Sequence, residues 1–460
     1  MMTTRSKPGR PSGRSLLLSI AAAAVATAGA AAHAQEEPQP DTRPADVPQL
    51  KERDHEDLGK LIEKYFEARK EGEGFYEAIE DLEKKMEAIG KRAKVDNMLA
   101  LTSDWEAALR ESKDYPGAPR GKGKAIEVDG ISGVYGDEIV YWVHGPKSYR
   151  NSDAYPLVLI VPDKDQKLDE IMRLDWVEKA TGIEDEMILV VTSMPKNTED
   201  WTIIGSQGRP GGVDRILQVL KHVTNDWNVD SERIFLCGQE QGVAAAMRVA
   251  ALVPDRFAGV IGRSGDPQPE PLGNFGALPV LLVAGADNAT AMGHAAEERG
   301  WKHIETRASA ETADIKEWIQ AHSRTGHPSD VYYRPLDLRM HDAYWVRVEG
   351  FEPDAEKKPW IHAVADRETN TVTIEGEGVT RVLVSFNDRL LDLDRSVKVV
   401  VGGVVHNQMV DRDLLFMLDR ARKSGDVGRV YMTMKPFDFP VDTGSSAPSG
   451  SGEGGSSGEK

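Results

Sequence analysis

The sequence predicts an α/β protein: a mostly parallel sheet with helices on both faces, preceded by a helical segment and followed by a β-rich domain. Three observations carry that prediction. Charged residues interleave with apolar ones at helical spacing over about 49–112, apolar runs alternate with helical patterns over 157–322, and short β-rich segments take over after Pro328. At 460 residues the chain exceeds one ordinary domain.

The elements follow in order. Arg5, Lys7, Arg10 and Arg14 form a basic start, Leu16–Ala28 an apolar core, and Ala32-His33-Ala34 a small-x-small cleavage site. Residues 1–34 therefore read as a secretory signal, too short in its apolar part for a membrane span. The expectation is export to the periplasm or the extracellular space. With no cysteine beside the cleavage site, no lipid anchor is expected there. Removing the four basic residues takes the formal charge from −18 to −22, which disfavours nucleic acid and anionic membranes as partners. The single cysteine, Cys237, falls in an apolar run and reads as a small buried hydrophobe.

Residues 35–47 are proline-rich and polar, an expected linker. Over 48–115, Leu58, Leu61, Ile62, Tyr65 and Phe66, then Phe75, Ile79, Leu82, Met86 and Ile89, recur at helical spacing. They predict two or three amphipathic helices, forming a small bundle or packing on the next domain. A domain at 120–328 begins with a hairpin, Ala125–Val128 and Glu138–Val143. Strands are then expected at Leu157–Val161, Ile188–Thr192, Ile234–Cys237, Gly259–Gly262, Val280–Ala284 and Lys302–Thr306. Helices are expected near 168–181, 212–226, 241–253, 288–299 and 311–322. That alternation implies a parallel sheet, whose ligand sites lie beyond the carboxyl ends of the strands. Over 329–440, Val331–Arg334, Tyr344–Glu349, Trp360–Ala365, Thr371–Glu375, Arg381–Phe386, Val397–Val401 and Arg429–Met434 read as strands, and Leu414–Ser424 as a helix. Residues 441–460, rich in Gly and Ser, read as a disordered tail.

The most informative motif is Gly238-Gln239-Glu240-Gln241-Gly242, a G-x-S-x-G turn whose serine is a glutamate. It follows the apolar run Ile234–Cys237 and opens the alanine-rich stretch Val243–Leu252. A strand, a glycine-framed turn and a helix are the context that lifts a nucleophile over the end of a sheet. With Asn228-Val229-Asp230-Ser231-Glu232-Arg233 before it and Pro254-Asp255-Arg256-Phe257-Ala258-Gly259 after it, this segment resembles the α/β-hydrolase superfamily. The likeness is to secreted bacterial esterases related to polyhydroxybutyrate depolymerases and to prolyl-oligopeptidase-type domains. Tyr141-Trp142-Val143 and Tyr155-Pro156-Leu157-Val158 are similar to their entry strands. The resemblance covers about 124–322, and 329–437, with Leu391-Asp392-Leu393-Asp394, looks like an accessory domain.

That resemblance implies four catalytic parts: a nucleophile, a histidine base, an orienting acid and oxyanion N–H donors. Glu240 occupies the nucleophile position. Asp287, in Gly285-Ala286-Asp287, matches the acid, and equally reads as a cap on the helix that follows. The loop where the histidine belongs is Ala308-Ser309-Ala310-Glu311, without one; His303 and His322 flank it. The oxyanion loop is Pro162-Asp163-Lys164-Asp165, whose proline lacks an N–H and whose aspartates repel a developing oxyanion. Gly238, Gln239, Gln241, Gly242, Pro162 and Asp163 are expected to line the cleft around Glu240.

The reading that follows is a hydrolase-like protein without conventional serine hydrolase activity, binding an unidentified small molecule or protein. The alternative is an ester or peptide hydrolase using Glu240 as a carboxylate nucleophile with Asp287. A carboxylate attack is chemically feasible, but hydrolysing the resulting ester still needs a base. No cofactor is implied. His322 and His327 stand five apart with no other ligand type at metal spacing, so no metal site is expected. Gly205–Gly212 lacks the G-K-[ST] ending of a P-loop and reads as a helix-entry loop.

Overall fold

The computed structural model describes residues 48–115, 120–164, 166–172, 182–196, 198, 200–206, 208–353 and 358–440. The expected signal, linker, tail and most of the helix near 168–181 lie outside them.

The amphipathic start folds as α1 (Glu52–Glu71), α2 (Phe75–Ala93) and α3 (Thr102–Arg110). Gly72, at positive φ, closes α1, and Arg69 and Lys70 sit favourably in its last turn. Asp104 on α3 ties the entry of the segment down. It accepts from the Gln49 and Leu50 amides at 3.0 and 2.8 Å and meets His55 Nε2 at 2.8 Å.

The central sheet collects β1 (Ile126–Ser132), β2 (Glu138–His144), β3 (Tyr155–Val161), β4 (Ile188–Thr192), β5 (Val229–Gln239), β6 (Gly259–Arg263), β7 (Val280–Val283) and β8 (Ile304–Arg307). Its order is β1-β2-β4-β3-β5-β6-β7-β8. β2 runs antiparallel to β1 and β4, and every other pairing is parallel. The strands β3, β4, β6 and β7 are mostly buried on both faces, as a covered parallel sheet requires, while the edge strand β8 is partly exposed. Leu157, Leu159 and Val161 join the core with α5 (Gly212–Asp226), α6 (Gly242–Leu252) and α7 (Asp287–Glu297). Val158 and Ile160 face the other way, toward the short α4 (Leu168–Ile171) and α8 (Thr312–Ala321). This is a mostly parallel sheet with helices on both faces, and β5 lies near its centre.

The β-rich C-terminal part holds a four-stranded antiparallel sheet and a five-stranded mixed one. The first orders β10 (Asp342–Ala343), β11 (Val346–Phe351), β14 (Val379–Phe386) and β17 (Thr433–Asp438). The second runs β16 (Val404–Gln408), β15 (Val397–Val401), β13 (Thr371–Glu377), β12 (Trp360–Asp366) and β9 (Asp330–Tyr333). The helix α9 (Leu414–Ser424) completes it.

The helical segment packs against the C-terminal part. Leu58, Ile62, Leu82 and Trp105 share one apolar core with Val348, Ile374, Phe386 and Leu418 of the C-terminal part. Polar ties run the same way: Arg69 to Asp419 at 2.9 Å and Arg389 to Glu106 at 2.8 Å. The expected strand Arg429–Met434 is displaced to Thr433–Asp438. Arg429 is instead drawn into a buried ion network with Asp255 and Asp426. Arg324 crosses to Asp426 at 2.6 Å and to Glu232 at 2.6 Å, and Arg256 approaches Asp426 at 3.6 Å. This network ties the α/β sheet to the β-rich part.

Candidate functional site

β5 ends at Gln239 and α6 begins at Gly242, so the turn of the motif stands past the carboxyl end of the central strand. Glu240 is exposed at φ +50°, the left-handed region that a residue with a side chain adopts only when its surroundings impose it. The backbone imposes it here. Glu240 N–H donates to the Arg263 carbonyl at 3.0 Å, and its own carbonyl accepts from Val243 N–H at 3.2 Å. The two framing glycines have no room for a side chain. A Cβ at Gly238 would lie 2.4 Å from Val243 Cα, and one at Gly242 would lie 2.0 Å from the Val161 carbonyl oxygen. The strained strand-to-helix elbow read from the motif is present, with a carboxylate at its tip.

Around Glu240 lies a cleft of about 510 Å³ lined by Asp163, Asp200, Trp201, Gln241, Ala244, Gly265, Asp266, Pro267, Gln268 and Asn288. Of the expected lining residues, Asp163 and Gln241 reach it. Gly238, Gln239, Gly242 and Pro162 are buried beneath it, where they shape the turn. Among the described residues four carboxylates line the cleft, at positions 163, 200, 240 and 266, and no lysine, arginine or histidine does. Asp163 Oδ1 is buried without a hydrogen-bond partner, as is the indole Nε1 of Trp201.

Asp266, from the loop after β6, accepts from the Asn288 and Ala289 amides at 3.0 and 2.8 Å and so caps the start of α7. Asp287 is the first residue of that helix and is exposed, outside the cleft lining. Its charge still suits the positive end of the helix, worth roughly 0.3–1 kcal/mol. Sequence reasoning passed over Asp266, Asp200 and Trp201. The Gly265-Asp266-Pro267 turn directly after a strand was the available signal for the first.

The histidines nearest the expected base position sit at the opposite end of the sheet. His303 precedes β8, its Nε2 meeting the Phe275 carbonyl at 3.0 Å. His322 closes α8, its Nδ1 meeting the Trp318 carbonyl at 2.7 Å. The loop after β8 leads to Glu311, which forms a capping box with Asp314 at the start of α8. Among the described residues no group of three or more His, Cys, Asp or Glu is arranged to hold a metal ion. No helix among them is long and apolar enough to cross a membrane.

The arrangement offers negative charge and amide side chains to a ligand. Among the described residues no imidazole lines the cleft beside the elbow carboxylate, and β3 leads directly into Pro162.

No protein-family profile and no curated protein matches the chain. Solved structures do. A thermostable esterase is 15% identical over 44% of this chain and 64% of its own, with a TM-score of 0.37. The chain thus spans less than two thirds of that esterase's length. A ferulic acid esterase of the anaerobic fungus Anaeromyces mucronatus is 13% identical over 46% of this chain and 98% of its own, with a TM-score of 0.34. An S-formylglutathione hydrolase of Staphylococcus aureus is 13% identical over 43% of this chain and 97% of its own, with a TM-score of 0.32.

Proposed function

We propose that this chain is an exported α/β-hydrolase-like protein that binds a ligand at the old catalytic cleft without hydrolysing it. The supporting observation is the elbow itself: Glu240 stands at its tip, where the resembling hydrolases carry a nucleophile, in a cleft lined among the described residues by three further carboxylates and no imidazole. Acyl transfer there lacks a general base for the second step and meets an electrostatic environment that opposes an oxyanion. The same lining repels anions and favours a small ligand that is cationic or neutral and rich in hydrogen-bond donors. Gln241, Gln268 and Asn288 supply amide partners alongside the carboxylates.

The test is a thermal-shift screen of amines, guanidinium compounds, sugars and carboxylic acids against the protein and its Glu240→Gln and Asp163→Asn variants. A ligand held at one hundred times its Kd stabilises the fold by about 2.7 kcal/mol. The proposal expects hits among donors and cations, reduced in both variants and by added salt. Hits confined to carboxylic acids, or unaltered in both variants, contradict it.

A further inference from the structure

One edge of the C-terminal part is built to pair. β16 ends the five-stranded sheet, bonded to β15 on one side, and no described strand pairs with its other side. Its register against β15 is continuous from Val397 opposite Gln408 to Val401 opposite Val404, without a bulge. It contains no proline and no lysine. The whole stretch Gly402–Val410 carries no charged residue, in a chain where 29% are charged. Natural edge strands are ordinarily blunted by such charges, prolines or bulges, and this one has none of them. Of eight exposed large apolar side chains among the described residues, three, Val404, Val405 and Met409, fall in this one short stretch. Val405 is 51% and Met409 60% exposed.

We propose that β16 pairs antiparallel with β16 of a second copy of this chain, joining two five-stranded sheets across a two-fold axis. A two-fold contact is self-complementary, and an antiparallel strand edge offers donors and acceptors that its own copy matches. The electrostatics select the place. Each copy carries a formal charge of −18, so close approach is opposed over most of the surface and least opposed along an uncharged strip. The side chains agree. Val405 and Asn407 share the outer face, above Val400 and Lys398, while His406 turns inward onto Phe437 with ring centroids 5.5 Å apart. With the axis through His406, Val405 of one copy faces Asn407 of the other. The two Val405 side chains then meet diagonally, within reach of one another.

The described residues end at Pro440, beside this edge, since a Cβ on Gly402 would lie 2.6 Å from Pro440 Cδ, and the sequence continues through 441–460. Their Gly- and Ser-rich sequence suits strand pairing poorly and offers little apolar surface to match Val405 and Met409.

Sedimentation velocity across a micromolar concentration series tests the pairing. It compares the protein, a Val405→Lys/Asn407→Lys variant and a variant ending at Pro440. The expected result is a concentration-dependent dimer in the first and the last, with self-association at least about tenfold weaker in the lysine variant. Circular dichroism and the thermal transition verify that the lysine variant is folded, and Asn407→Lys alone, on an exposed side chain, replaces it if it is not. A protein monomeric throughout, or a dimer that survives the lysines, overturns the proposal. A dimer that appears only on ending the chain at Pro440 overturns it as well, because the tail is then the occupant.

Discussion

Arg324→Ala is the substitution expected to damage this fold most for its size. The Arg324 side chain is 1% exposed and donates to Asp426 at 2.6 and 3.0 Å, to Glu232 at 2.6 Å and to the Asp255 carbonyl at 3.2 Å. Truncation leaves Asp426 buried with only Arg256 at 3.6 Å and Arg429 at 3.1 Å to balance it. Removing one partner of a buried, hydrogen-bonded pair costs about 3–5 kcal/mol, because the remaining charge keeps its desolvation penalty. The two residual arginines place the expected loss near about 3 kcal/mol, at the lower end of that range. Location gives the second expectation. Glu232 and Asp255 belong to the α/β sheet region and Asp426 to the C-terminal part, so unfolding should also lose cooperativity. Urea titration followed by tryptophan fluorescence and by far-UV circular dichroism measures both. Coincident transitions with a loss below about 1 kcal/mol would refute the reasoning, since exposed pairs behave that way.

Four further expectations follow from the structure. Burial alone would raise the Asp426 pKa, but Arg324 and Arg256 outweigh it and hold the carboxyl down to about 2. Its contribution, about 2–3 kcal/mol, is therefore complete above about pH 4 and lost as pH falls toward 2, which acid titration of the protein against Asp426→Asn would show. His362 is raised by its hydrogen bond with Asp330 at 2.9 Å, against the opposing effect of burial. Its stabilisation is present below about pH 6.5 and lost as pH rises through the higher folded value, a dependence that His362→Gln should remove. At the elbow, Glu240→Gly should leave the melting temperature unchanged or raise it, by relieving a backbone strain of order 1 kcal/mol. Gly242→Ala should lower it sharply, because its Cβ meets the Val161 carbonyl at 2.0 Å.

The sheet was legible because its strands are nearly uninterrupted apolar runs, such as Leu157–Val161 and Ile188–Thr192, whose burial on both faces leaves no other assignment. The elbow was legible because two glycines at fixed spacing mark a backbone contact. Two strands were missed. β10 is two residues long, below what periodicity detects. β16 follows a Gly402-Gly403 turn at φ +53° and +83°, a two-residue hairpin signal present in the sequence, but its Val-Val-His-Asn-Gln composition does not alternate. The partner of the helical segment was out of reach, because Leu58 or Ile62 specifies an apolar face without naming which distant core it joins. Asp266 and Asp200 enter the cleft from loops, where spacing carries no directional information.

The most direct test of binding without hydrolysis is a screen of short and long acyl esters and small amides on the purified protein, with Glu240→Ala run beside it. The account predicts turnover no higher than in Glu240→Ala. Turnover that disappears in Glu240→Ala would make the carboxylate a nucleophile and contradict the account.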